Sequence, residues 1–132
     1  MFGWFRKKKP PSDQDMDAYQ AVEFFRRGDY TEALRRAEVM LVAGPHVALS
    51  WRFKGECLFH LGRYTEAVES FRRAAEIGGE GTEDMFLWQA LALHNGGQPE
   101  QAKQVIRDFL TSGAGSSEIV AKARAALAKL ER

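Results

Sequence analysis

Gly62-Arg63-Tyr64-Thr65-Glu66-Ala67 repeats Gly28-Asp29-Tyr30-Thr31-Glu32-Ala33 after 34 residues, and Gly97-Gln98-Pro99-Glu100-Gln101-Ala102 follows 35 residues further on. A period near 34 marks a helical array, in which each unit buries its apolar face only against its neighbours. Fold class is therefore set by spacing before any propensity is counted. Such an array also makes binding, rather than chemistry, the expected work.

Working outward, the apolar residues keep helical spacing on both sides of each phrase. Pro10-Pro11 break the chain, Ser12 suits an N-cap, and Asp13 and Asp15 place negative charge in a first turn. Ala18, Ala21, Val22 and Phe25 share one face of a first helix over 13–27, which Gly28 ends. Asp29 with Glu32 reads as a capping box for a second helix. That helix buries Ala33, Leu34, Ala37, Val39, Met40 and Leu41 and stops at Gly44-Pro45. The pattern recurs as helices over 47–61 and 64–77, then over 83–95, capped by Thr82, and 98–111. A last helix over 117–131 is capped by Ser116. No segment alternates with period two, so no strand is expected.

The repeated small residues have a packing reason. Ala33, Ala67 and Ala102 fall where two helices of a pair cross, and Ala21, Gly55 and Ala90 fill the matching slot on the partnering helix. Phe71, four residues after Ala67, should fill the gap between repeats, while Tyr30 and Tyr64 should pack across the joints.

At these residues the chain resembles the tetratricopeptide repeat family. Trp51, Gly55, Gly62, Tyr64, Ala67, Phe71 and Ala74 stand at that motif's spacing in the middle unit. The first unit carries Ala21, Gly28, Tyr30, Ala33 and Pro45, and the third carries Trp88, Ala90, Gly97 and Ala102, with Ile106 in the slot of Phe71. Lys54 replaces the usual leucine, Gly79 replaces the proline, and Ala37 stands in the large slot of the first unit. The resemblance implies an all-α, right-handed α-solenoid of three antiparallel helix pairs plus a C-terminal capping helix. The repeats would span about 14–46, 48–81 and 83–115, with the cap over 117–131 and residues 1–11 outside the domain. Ile119, Ala123, Leu127 and Leu130 give the cap an apolar stripe, and Glu118, Lys122, Arg124 and Lys129 face water.

In this family the first helix of each pair lines a concave groove that receives a peptide or a helix of a partner protein. By register the groove would be Ala18, Val22, Phe25 and Arg26, then Leu49, Arg52, Glu56, Phe59 and His60, then Asp84, Leu87, Leu91 and His94. Phe25 and Phe59 occupy one slot of consecutive repeats and should form a shared aromatic patch. Family members that grip the acidic tails of chaperones use a lysine-and-asparagine clamp. Ala18 and Val22 stand in its first-repeat slots and cannot hydrogen-bond a carboxylate. An amphipathic helix or apolar peptide is the better match, with Arg26 and Arg52 as anion contacts.

Composition narrows the rest. The net charge of +1 combines +4 over residues 1–11 with −3 over the remainder, and a mildly acidic body argues against a general nucleic-acid binder, which would carry a basic face. The lone Cys57 cannot form an internal disulfide, which fits a reducing compartment. Cys57, His60 and His94 lack a clear fourth ligand for structural zinc, so neither metal nor cofactor is expected, and no constellation supports an enzyme. The start lacks the order of a secretory signal, so a cytoplasmic place is expected.

Phe2, Trp4 and Phe5 beside Arg6, Lys7, Lys8 and Lys9 suit the inner face of an anionic membrane, giving weak, reversible attachment. The same residues suit docking on a partner or folding back onto the groove, and a solvated, functionless start is the plain alternative. The expected function is a non-catalytic adaptor or scaffold. The alternative is a structural subunit that self-associates or assembles into a larger complex.

Overall fold

A computed structural model describes residue 10 and residues 12–132. Among these residues seven helices follow in order: α1 (Asp13–Arg26), α2 (Tyr30–Ala43), α3 (Ala48–His60), α4 (Tyr64–Ile77), α5 (Met85–Asn95), α6 (Pro99–Ser112) and α7 (Ser117–Leu130). Among the described residues all regular structure is helical. Each helix packs chiefly against its neighbours in sequence, as an α-solenoid requires.

The repeated glycine makes the same joint three times. Gly28, Gly62 and Gly97 have φ of +79°, +74° and +83°, left-handed backbone that glycine adopts without strain. The next residue's N–H reaches back across the turn: Asp29 to Phe24, Arg63 to Leu58 and Gln98 to Leu93, at 2.9, 2.9 and 2.8 Å. This is the Schellman closure, which satisfies carbonyls that a helix end leaves open. The joint, not the tyrosine or proline after it, sets the reversal of each pair.

At the crossings, Ala33, Ala67 and Ala102 are fully buried, with Ala21, Gly55 and Ala90 opposite them in the buried slots of the partner helices. Gly55 shows why the slot is small. A Cβ there would lie 2.6 Å from the Phe71 ring, closer than real contacts allow. Phe71 is itself fully buried and leans on Trp88 of the next pair, ring centroids 5.5 Å apart. Ala123 continues the series on α7, 33 residues after Ala90, and is also fully buried. The capping helix thus begins a fourth unit.

Several sequence expectations need correction. Helix α5 starts at Met85 with Asp84 at the cap position, because Thr82 turns its hydroxyl inward, donating to the Gly79 carbonyl at 2.7 Å. The full capping box is at Ser12, where the Asp15 carboxylate accepts from the Ser12 backbone and the Ser12 hydroxyl accepts from Asp15 N–H. At Asp29 only half of it forms, since the Glu32 carboxylate turns to Arg35. Val39 points outward and is 49% exposed. Phe86, not Trp88, stands four residues before the small slot as Trp51 does, and it stacks on Phe109 at 3.7 Å between centroids. Lys54, in place of leucine, lies over Trp51, which Arg73 also faces.

Candidate partner-binding groove

The first helices of the pairs, α1, α3 and α5, carry the same two slots in register: Ala18 and Val22, Arg52 and Glu56, Leu87 and Leu91. The outer repeats are apolar at both slots and the middle one is ionic at both. Around the apolar pairs the surface is hollow. One hollow of about 310 Å³ is lined by Ala18 and Val22 of α1, Leu49 and Phe53 of α3, Met40 of α2 and Val47. A second, of about 250 Å³, is lined by Leu87 and Leu91 of α5, Ile106 of α6, and Ala126, Lys129 and Leu130 of α7. Val22, Leu49 and Leu91 are 47%, 55% and 43% exposed, so both hollows open to solvent on large apolar side chains.

Between them the charges are turned on one another. Arg52 Nε lies 3.5 Å from Glu56 Oε1, one helical turn along α3, and Arg52 Nη1 donates to the Gly81 carbonyl at 2.8 Å. Arg52 is therefore partly engaged, its Nε toward Glu56 and its Nη1 on the Gly81 carbonyl. Burial holds the Glu56 carboxyl above its ordinary value of 4.5, and nearby Asp84 pushes the same way, while Arg52 and His60 oppose it. With Glu56 and Asp84 against one guanidinium, the middle of the groove carries a net negative charge.

Phe25 and Phe59 do not stack on each other; both are half-buried and pack against the main core. Exposed His60 joins them, with centroids 5.4 Å from Phe25 and 5.9 Å from Phe59, and it stacks on Tyr30 at 4.5 Å. Tyr30 and Tyr64 pack edge-on against Phe25 and Phe59 across their joints. Arg26 is exposed and paired with Glu23 at 3.1 Å. Asp84 is half-buried at the start of α5, and His94 is exposed in its last turn. Phe2, Trp4, Phe5, Arg6, Lys7, Lys8 and Lys9 lie outside the described residues.

Cys57 is fully buried in the main core, and desolvation pushes its thiol up to about 12. It remains a protonated, apolar filler near neutral pH. Sequence reasoning missed Met40, Val47 and Phe53 on the first hollow and Ala126, Lys129 and Leu130 on the second. The α7 residues had a signal: Ala123 keeps the period, which marks α7 as the first helix of another unit and hence a groove wall.

Profiles of the tetratricopeptide repeat match residues 20–82 and residues 84–112. This chain belongs to the tetratricopeptide repeat family. No curated protein matches it. Among solved structures it is similar to the TPR2B domain of yeast Sti1 in its pHsp70 complex, with a TM-score of 0.73 and 18% identity over 89% of this chain and 95% of that one. It is similar to the second repeat domain of human RPAP3 bound to the Hsp70 peptide SGPTIEEVD, with a TM-score of 0.72 and 21% identity over 93% and 99%. The Yersinia enterocolitica type III secretion translocator chaperone SycD gives 0.74 and 17% over 94% and 96%. At these identities the likeness shows the fold of a tetratricopeptide repeat domain.

Proposed function

We propose that this tetratricopeptide repeat protein is a non-catalytic adaptor whose groove holds a partner segment with two apolar anchors and a basic residue between them. The observation that carries the reading is the order apolar, ionic, apolar at the same two slots of α1, α3 and α5. Each hollow offers about half-exposed Val22 and Leu49, or Leu91, to an anchor, and burying one such side chain contributes about 1.5–3 kcal/mol. The hollows are two helix-to-helix steps apart, about 16–20 Å, which an extended chain crosses in about five or six residues. Glu56 and Asp84 favour a cation in transit, the opposite of what an acidic tail offers.

The structural neighbours in complex with Hsp70 lend support to a groove that takes peptides, while Ala18 and Val22 argue for a different ligand chemistry here. Selection from a random 12-residue display library tests the reading. Enriched peptides should carry two large apolar residues five or six apart with Lys or Arg between them. Val22→Glu/Leu91→Glu should bind them at least tenfold more weakly with unchanged helical circular dichroism. An absence of enriched peptides, or equal binding by the variant, refutes the proposal.

A further inference from the structure

We infer that the aromatic-basic segment over residues 2–9 is a ligand of this chain's own groove, seated against α1 where it blocks the first hollow. The inference rests on the groove being a peptide site. The first hollow is not isolated. It shares Met40, Val47 and Ser50 with an adjoining one of about 230 Å³, whose wall reaches Gln14 in the first turn of α1. Together they form a trough that runs from Gln14 to Val22 and begins beside Ser12, the N-cap that residues 2–9 lead into.

Reach, chemistry and charge agree. The trough follows about 12 Å of helix at 1.5 Å per residue. Phe5 precedes Ser12 by seven residues, which span up to about 23 Å, so the rings reach the far end even if the chain doubles back along α1. Val22, Val39, Val47 and Leu49 present large exposed apolar side chains along the trough. Phe2, Trp4 and Phe5 are the aromatics that belong to no repeat. Arg6, Lys7, Lys8 and Lys9 would pass the exposed Asp13 and Asp15 of the first turn, in a body of net charge −3. This is the first half of the ligand chemistry the groove favours, an apolar anchor followed by basic residues, supplied on a tether.

The tether makes weak docking sufficient. For an isolated-segment Kd of about 100 µM, a local concentration of about 1 mM keeps the trough about nine-tenths occupied and weakens a competing ligand about tenfold. The segment then acts as a built-in competitor that a partner must displace.

The test compares the full chain with full-length Phe2→Ser/Trp4→Ser/Phe5→Ser by amide NMR, and adds a synthetic peptide of residues 1–11 to that variant. The proposal expects shift differences confined to residues around Ala18, Val22, Leu49 and Phe53 and unchanged by dilution. It also expects saturable peptide binding to the variant, lost on adding Val22→Glu/Leu49→Glu, and about tenfold tighter binding of display-selected peptides to the variant than to wild type. Absence of trough shifts overturns it. Shifts that vanish on dilution overturn it by placing the segment in a second copy. Sedimentation of wild type alone with anionic vesicles, without trough shifts, overturns it in favour of a membrane contact. Display-selected peptides that bind both forms equally refute self-docking and leave the groove standing; failure of selection on the variant removes the groove as well.

Discussion

Gly55→Ala sets two opposing effects against each other inside one contact. Alanine in a helix interior is favoured over glycine by about 1 kcal/mol, so propensity alone predicts stabilisation. The added methyl, however, would lie 2.6, 2.7 and 3.0 Å from three atoms of the Phe71 ring. That ring is fully buried and held by Trp88 at 5.5 Å, so it has nowhere to retreat. Overpacking of this kind costs about 1–3 kcal/mol, which outweighs the propensity gain. The variant should be less stable by up to about 2 kcal/mol, read from urea unfolding followed at 222 nm with an unchanged m-value. A cycle with Phe71→Ala sharpens the test. Once the ring is gone the same methyl meets open space, and Gly55→Ala should stabilise by about 1 kcal/mol in that background. Stabilisation in both backgrounds would refute the argument that Gly55 exists to admit Phe71.

Two further outcomes follow from buried titratable groups. Because burial raises the Glu56 carboxyl above 4.5, the folded state holds its proton longer than the unfolded chain does. The Glu56 contribution therefore falls as pH rises from about 4.5 through the raised value. The stability of Glu56→Gln relative to wild type should climb over that window and then level off; a flat difference between pH 4 and 7 would contradict it. Cys57, buried with its thiol near 12, should resist thiol reagents at pH 8 in the folded chain and react at the rate of opening. Stoichiometric labelling within the mixing time, with the helical signal intact, would place it elsewhere.

Much of the architecture was legible because it depends on local spacing. The glycine of each joint and the alanine of each crossing act within a single helix pair, so the 34-residue period exposes them together. Val39 and Trp88 were misread for a shared reason. Both lie on helices that are apolar on more than one side, and apolarity alone does not say which neighbour each side meets. Thr82 shows the same limit at a helix start: it reads as a cap, but the Gly79 carbonyl engages its hydroxyl, and the helix opens after Asp84, whose side chain makes no capping bond.

The sequence by itself determined a helical array, its repeat boundaries and the small residues that let helices approach, since all of these are periodic in the chain. Tertiary structure alone decided the character of the groove. Glu56 stands one turn from Arg52 on α3, so that pairing is local, but only the approach of the Gly79–Gly81 turn supplies the carbonyl that accepts from Arg52 Nη1. The α7 wall of the second hollow likewise exists only because Ala123 docks the cap on the third pair. A residue's slot is written in one helix, but its partners come from others, and a groove is made of partners.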